Sequence, residues 1–380
     1  MSWRLVESDA ELAQVLSGAR RCEALVLDTE FMRRNTFYPR VALLQLCLVD
    51  GPGDAERDEP VAWLIDPLQI EDAGPIIDLL EDTSVIKVLH SASEDLEVFQ
   101  HWLGVLPQPL FDTQRAAALL NIGFGMGYSS LVEALTGVVL PKGETRSDWL
   151  QRPLTESQCE YAAQDVTCLT PVWRELRDRT RSAGRFDWVL EDGATAVAGA
   201  MRPAEDYHRK LKGAWQLAPR QLAVLAGLCE WRERTARERD KPRGWIIDDK
   251  ACLALAQSCP VTVHDMAAAV DLPAPVLRRY SDTLLDIVQA NSDLPETDCP
   301  PPLPRPLSAQ QRDQLKKLKA RGRELGLALD TAPEVLLQSK DYELLLRAAA
   351  GEAIAEPEYL NGWRRDTVVA PLRASLDPAA

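Results

Sequence analysis

The sequence predicts an α/β domain built on a mixed sheet with helices on its faces, followed by two all-α modules. Three observations carry this. Strand-like apolar runs with short links fill the opening stretch, at 25–31, 40–49 and 61–68. From residue 85 onward strand-like and helical segments alternate, and past Ala200 the β signals fade while helical periodicity takes over.

Taken in order, 7–16 reads as a short helix and Leu25-Val26-Leu27-Asp28-Thr29-Glu30-Phe31 as a strand. The runs 40–49 and 61–68 are two more strands joined through the turn residues Asp50-Gly51-Pro52-Gly53, and the turn-like Arg20-Arg21 precedes the first, so an antiparallel meander is expected. Residues 71–80 have helical spacing, and 85–89 suit a buried strand. A helix is expected over 93–103 with Ser93 as its N-cap, a strand end at Leu110-Phe111, and helices over 113–120 and 128–135, the former capped by Asp112. Thr155-Glu156-Ser157-Gln158 fits a capping box and predicts one long helix running from there towards Arg179. Further on, Leu217, Leu225 and Leu228 recur at an offset of ninety as Leu307, Leu315 and Leu318, each set leading an amphipathic helix. Pro300-Pro301-Pro302-Leu303-Pro304-Arg305-Pro306 cannot form helix and reads as a stiff, extended linker. The expected domains are therefore 1–200 (α/β), 208–292 (first helical module), 293–306 (linker) and 307–376 (second helical module).

Composition bounds the function. With 380 residues and 46% hydrophobic content, the chain can bury one large core or several smaller ones. The first twenty residues have no apolar leader pattern and no run approaches bilayer length, so a soluble, cytoplasmic protein without a membrane partner is expected. Eight scattered cysteines with no Cys-x-x-Cys pair argue against zinc sites and disulfide frameworks. The formal charge of −15 opposes a nucleic-acid partner only if it is evenly spread, and it is not: 202–243 and 305–323 are locally rich in Arg and Lys.

Three constellations carry chemistry. Asp28 and Glu30 stand two apart on a strand, so they share a face about 6–7 Å from each other and repel unless a cation lies over them. The segment His90-Ser91-Ala92-Ser93-Glu94-Asp95-Leu96 follows a strand and places acids at a helix start, where the macrodipole favours them. His90 itself reads as a strand-end residue held by hydrogen bonds, since no second His or Cys stands at zinc-ligand spacing. Tyr161 and Asp165 lie four apart on one helix face, about 6 Å from each other.

Together, Asp28, Glu30, Asp95 and Asp165 with Tyr161 resemble the DEDD family of 3′-to-5′ exonucleases, in its tyrosine branch. The other branch places His five residues before the last Asp, where this chain has Glu160. The segments Ser147-Asp148-Trp149, Arg152-Pro153-Leu154 and Tyr161-Ala162-Ala163-Gln164-Asp165 resemble the ribonuclease D family, and both helical modules resemble HRDC domains. The resemblance implies a ribonuclease H-like exonuclease domain and a metal-dependent exoribonuclease that trims structured RNA, tRNA precursors above all, from a free 3′ end. It also implies two divalent ions, Mg²⁺ or Mn²⁺, held by Asp28, Glu30, Asp95 and Asp165, with Tyr161 orienting the attacking water. Candidate RNA contacts are Phe31, by stacking or else a core residue, His90, Arg305, Lys316 and Lys319. A monomer is expected. A DNA 3′ exonuclease of the same fold and a non-catalytic RNA-binding protein are the competing readings.

Overall fold

A computed structural model describes residues 2–17, 19, 22–51, 60–141, 143–144, 147–201, 207–352 and 354–376. The Arg20-Arg21 turn and Pro52-Gly53 of the Asp50-Gly51-Pro52-Gly53 turn lie outside these residues. The chain divides into two compact units: 1–32 with 40–201 and 308–380, and 33–39 with 202–307.

The first unit is organised by a six-stranded sheet of order β1-β4-β3-β2-β5-β6. Its strands are β1 (Ser2–Val6), β2 (Ala24–Met32), β3 (Arg40–Val49), β4 (Val61–Ile65), β5 (Ile86–Leu89) and β6 (Leu110–Asp112). β2, β3 and β4 form the expected antiparallel meander, while β1 joins β4, and β5 and β6 join β2, in parallel. β1 was not expected. It is a five-residue edge strand whose partner lies some sixty residues away, and its outer positions are exposed, so it carries no local signal. Strand β4 stops at Ile65, before the expected Leu68, because Asp66 turns inward: its carboxylate takes the Leu68 N–H at 2.9 Å and the Arg152 guanidinium at 2.5 and 2.8 Å.

Helices α1 (Asp9–Leu16), α2 (Gly74–Glu81) and α3 (Ser93–Trp102) cover one face of the sheet, where Leu25, Leu27, Leu44 and Leu46 are buried. The other face, carrying Val26, Leu43, Cys47 and Leu64, packs on α4 (Thr113–Leu119), α5 (Tyr128–Thr136), α6 (Glu156–Thr167) and α7 (Leu169–Ser182), with α8 (Phe186–Ala200) alongside. Alternation along each strand sends successive side chains to these two layers. The capping box at Thr155 and Gln158 forms as expected, but the long helix is two. Pro171 has no N–H for the Thr167 carbonyl and its ring crowds that carbonyl, so the helix breaks at Cys168.

The second unit contains α9 (Pro219–Glu238), α10 (Arg243–Ile246), α11 (Asp249–Ser258), α12 (Val263–Ala269) and α13 (Ala274–Ser292) around one apolar cluster. Residues 299–308 have no regular structure, as the prolines require, yet Leu303 packs on this cluster. No described helix is long and apolar enough to cross a membrane.

The last segment, with α14 (Ala309–Ala328), α15 (Pro333–Leu336), α16 (Ser339–Ala349) and α17 (Ala370–Ala374), belongs to the first unit. The sequence suggested a separate module over 307–376, but its apolar residues merge with those of α4 and α7. The join is polar as well. Asp192 of α8 is buried and receives Arg364 at 2.6 and 3.0 Å, Arg115 at 2.7 Å and the Trp363 indole N–H at 3.0 Å. Trp188 and Trp363 stack at 4.4 Å. Burial by itself raises the Asp192 carboxyl, but the Arg364 and Arg115 charges outweigh it and hold the group below the usual carboxylate range.

Asp192→Ala should strand a buried guanidinium and lower the unfolding free energy by about 3–5 kcal/mol in urea titrations. In the parent, this stabilisation is present above the ordinary carboxylate pKa and is lost as pH falls through the depressed folded value. A cost under about 1 kcal/mol would show that Arg364 reaches water instead.

Candidate active site

Strand β2 is held on both sides, by β3 and β5, as far as Val26, and then only by β3. Its end carries Asp28 and Glu30 on the face that meets α6. Next to them the register slips: Glu30 faces Leu43 but Phe31 faces Val41, which leaves Ala42 as the extra residue of a bulge. Arg152 clamps this bulge. Its guanidinium donates to the Ala42 carbonyl at 2.6 Å while also gripping Asp66 and the Trp149 carbonyl.

Helix α6 presents Asp165 from the opposite side. Ligand oxygens of Asp28, Glu30 and Asp165 all lie within 4.8 Å of one another. The Tyr128 hydroxyl anchors this turn of α6, donating towards the Gln164 carbonyl at 2.7 Å and the Asp165 carbonyl at 3.0 Å, close to the helix end where such carbonyls run short of partners. Asp95 comes from the first turn of α3. Its carboxylate accepts the Thr29 hydroxyl at 2.5 Å, so it stands outside the close trio and beside it. Helix α3 starts at Ser93, but its cap position is Ala92, with no side-chain cap; the Ser91 and Ala92 N–H groups go to Asp112, each at 3.1 Å. Asp112 also caps α4, as expected.

The electrostatics follow from crowding. Burial, then Asp165, Asp95 and Glu30, push the Asp28 carboxyl well above its usual range. Burial, Asp165 and Asp95 raise Glu30 to about 9, and burial and Asp95 raise Asp165 to about 7. Asp95 is raised to about 6, chiefly by burial. Four carboxyl groups that cannot ionise together form a cation site in waiting, and their oxygen-only donor set suits a hard divalent ion.

Tyr161 is half-buried one helical turn before Asp165, its ring 6.1 Å from that of Trp149. Burial, then Asp165, Glu30 and Asp28, raise its phenol, which therefore keeps its proton at neutral pH. Gly143 lies against the same ring: a Cβ there would sit 1.9 Å from Tyr161 Cδ2, so only glycine lets the backbone approach this closely.

A 3′-5′ exonuclease family model matches residues 3–181 and an HRDC domain model matches 221–288. Ribonuclease D of Pseudomonas paraeruginosa is 44% identical over 98% of this chain and 97% of its own length. Ribonuclease D of Escherichia coli is 35% identical, over 99% of both chains. The chain belongs to the ribonuclease D family. The crystal structure of E. coli RNase D, an exoribonuclease involved in structured RNA processing, superposes with a TM-score of 0.88, covering 99% of this chain and 98% of that one at 35% identity. The first unit thus holds the ribonuclease H-like exonuclease fold of ribonuclease D, and the protein is a 3′-to-5′ exoribonuclease.

The other sequence candidates fare differently. His90 has no ring nitrogen to spare for RNA: Nε2 donates to the Met126 carbonyl at 3.1 Å and Nδ1 meets the Thr113 hydroxyl at 3.0 Å. Phe31 is half-buried and belongs to none of the three apolar clusters, so the core alternative fails for it. Arg305 is exposed in the second unit, whereas Lys316 and Lys319 lie on α14 in the first, Lys319 bonded to Ser339 at 3.0 Å. Sequence reasoning missed Thr29, Tyr128, Gly143 and Gln45. Gln45 is the cross-strand partner of Asp28, and its fully buried carboxamide has no hydrogen-bond partner among the described residues. An isolated Gln inside an apolar strand was the one legible signal among these.

The chain stripped of divalent ions should lose stability as pH rises. The raised carboxyls favour the folded state fully below their ordinary pKa, and this is lost as pH climbs through about 7 for Asp165 and about 9 for Glu30. Melting curves in chelator across that range check it. A melting temperature rising with pH would overturn the electrostatic description.

Proposed function

We propose that Asp28, Glu30, Asp95 and Asp165 hold two divalent ions, Mg²⁺ or Mn²⁺, and that the chain releases nucleoside 5′-monophosphates stepwise from the 3′ end of structured RNA, tRNA precursors included. The observation that carries this reading is the convergence of Asp28, Glu30 and Asp165 from a strand and a helix, with ligand oxygens within 4.8 Å. When bound, the ions neutralise the carboxylates, supply the activated water and stabilise the leaving 3′ oxygen. The E. coli relative's part in structured RNA processing supports the substrate class. We further read the protein as a cytoplasmic monomer.

The chain's own groups set the geometry. Asp28, Glu30 and Asp165 would hold an ion among them, and Asp95 beside them would help to hold the second. The Tyr161 hydroxyl, still protonated, orients the water by hydrogen bonding; its raised pKa makes it a poor base. Trp149 and Gly143 fix the ring that carries it. Phe31, partly open and next to Glu30, stacks on the terminal base. Arg and Lys side chains of the helical segments, among them Arg305, Lys316 and Lys319, contact phosphates.

End-labelled RNA with Mg²⁺ or Mn²⁺ tests the polarity: a free 3′ hydroxyl should be consumed stepwise, while a 3′ phosphate should block. Early internal cuts at equal rates for both ends would mean an endonuclease, and equal turnover of matching DNA would favour a DNA exonuclease. Asp28→Asn should abolish turnover with RNA binding retained, and no metal-dependent turnover in the parent would leave an RNA-binding protein. Tyr161→Phe should keep metal affinity but cost about 10²–10³ in single-turnover rate, as positioned polar groups do. A rate within about threefold of the parent would leave the hydroxyl without a catalytic part.

A further inference from the structure

The helical part of the chain repeats itself in structure at the offset read in its leucines. Helices α9 and α14 run over 219–238 and 309–328, and the short helices α10 and α15 begin with 243 and 333 and end with 246 and 336. Between them, each copy turns on an aspartate in the left-handed region, Asp240 and Asp330, both with φ 48°. In each, the next N–H closes the turn at 2.9 Å, Lys241 onto the Ala236 carbonyl and Thr331 onto the Gly326 carbonyl. One turn is built twice and used in two ways.

In the second copy the turn is a docking face. The Ala332 N–H reaches the Ala118 carbonyl at 2.9 Å, Val335 is 2% exposed, and Arg364 takes the Val335 and Leu336 carbonyls. In the first copy the place of Val335 is held by Trp245, which is 59% exposed. Charge differs in the same sense. Residues 324–333 hold Glu324 and Asp330 and no cation, whereas 234–243 hold Arg234, Arg237, Arg239, Lys241 and Arg243 against Glu238 and Asp240.

Trp245 stands on a rigid mount. Its N–H bonds the Pro242 carbonyl at 2.8 Å, and Ile246 and Ile247 behind it are buried. Arg243, two residues earlier, lies 4.7 Å from the Phe37 ring and 5.4 Å from the Tyr207 ring, and it shares Glu233 with Arg237, which covers Phe37 at 4.9 Å. An indole held out by a braced turn loses little freedom on contact with a base, and proteins hold single strands by stacking bases on aromatic side chains while basic residues meet the backbone.

We propose that Trp245 is a stacking platform for a base of single-stranded RNA, with Arg234, Arg237, Arg239 and Lys241, cations of the preceding segment of the chain, as phosphate contacts. This deepens the RNA reading above and rests on it. A phosphate-bearing partner is favoured over a protein one by the five cations against two acids in 234–243.

The test uses the full chain. Trp245→Ala should bind a fluorescent RNA with a single-stranded 3′ tail at least about fivefold more weakly, as loss of one stacked base implies, with an unchanged salt slope. Trp245→Phe should recover most of the affinity, and Lys241→Gln should reduce the slope by about 0.7. Hydrolysis of a labelled dinucleotide, too short to reach beyond a catalytic centre, should match the parent in both Trp245 variants. RNA affinity of Trp245→Ala equal to the parent's, with dinucleotide hydrolysis intact, overturns the platform and leaves the nuclease reading standing. Weakened binding in a parent that hydrolyses nothing upholds the platform and sinks the nuclease reading. A parent dimer that Trp245→Ala dissociates in sedimentation, with RNA affinity unchanged, overturns the platform in favour of self-association.

Discussion

Mutual repulsion among Asp28, Glu30, Asp165 and Asp95 is the constraint that the exonuclease unit is built to withstand. Two unit charges about 4 Å apart interact by about 4 kcal/mol at an effective dielectric of about 20. Three such contacts approach the whole net stability of a domain, about 5–15 kcal/mol. The carboxyls therefore keep protons or take cations, and the raised values of Glu30 and Asp165 are the proton-bearing side of that choice. Everything around the trio resists its spreading: the β3 pairing of β2, the Ala42 bulge clamped by Arg152, and the α6 turn held by Tyr128.

The same constraint explains why the supporting groups are polar yet buried. Thr29 alternates to the face away from Asp28 and Glu30, where its hydroxyl fixes Asp95. Asp112 takes N–H groups from Ser91, where φ is 58°, and from Ala92, so the chain can turn sharply from β5 into α3 and deliver Asp95 in the first helical turn. A carboxylate that caps one helix thereby sets the start of another. Substituting it would disturb Asp95 without touching the site itself.

Asp95 stood only at a helix start and was picked out through the family resemblance, whereas Asp28 and Glu30, two apart along a strand, and Tyr161 and Asp165, four apart along a helix, were legible as candidates because backbone geometry fixes those spacings. The meander was legible for the same reason, through short links and apolar runs. What escaped depended on distant partners. β1 is recognisable only beside β4, and the break at Cys168 needed Pro171 to be weighed against a strong capping box. Helix α8 was not anticipated, though its Asp192 organises the join to the last segment. That join was the largest gap. Arg364 and Asp192 are 172 positions apart, and each alone reads as an ordinary surface charge.

Net charge misleads for a related reason. At physiological salt, charges screen one another beyond about 8 Å, so an acidic chain does not repel RNA as a single body. The field that a phosphate meets is set within a few residues of where it lands. Residues 234–243 carry five cations against two acids, while the equivalent residues 324–333 carry two acids alone. Two segments share one helical hairpin geometry, and burial separates them: Val335 is 2% exposed and Trp245 59%. The copy fused to the nuclease could not keep cations at a face that must be desolvated, since unpaired buried charge is among the costliest defects a core can hold. The first copy, whose Trp245 is exposed, keeps its cations. Its arginines could accumulate on aromatic rings, where they remain exposed enough to meet a phosphate and ordered enough to hold an indole outward.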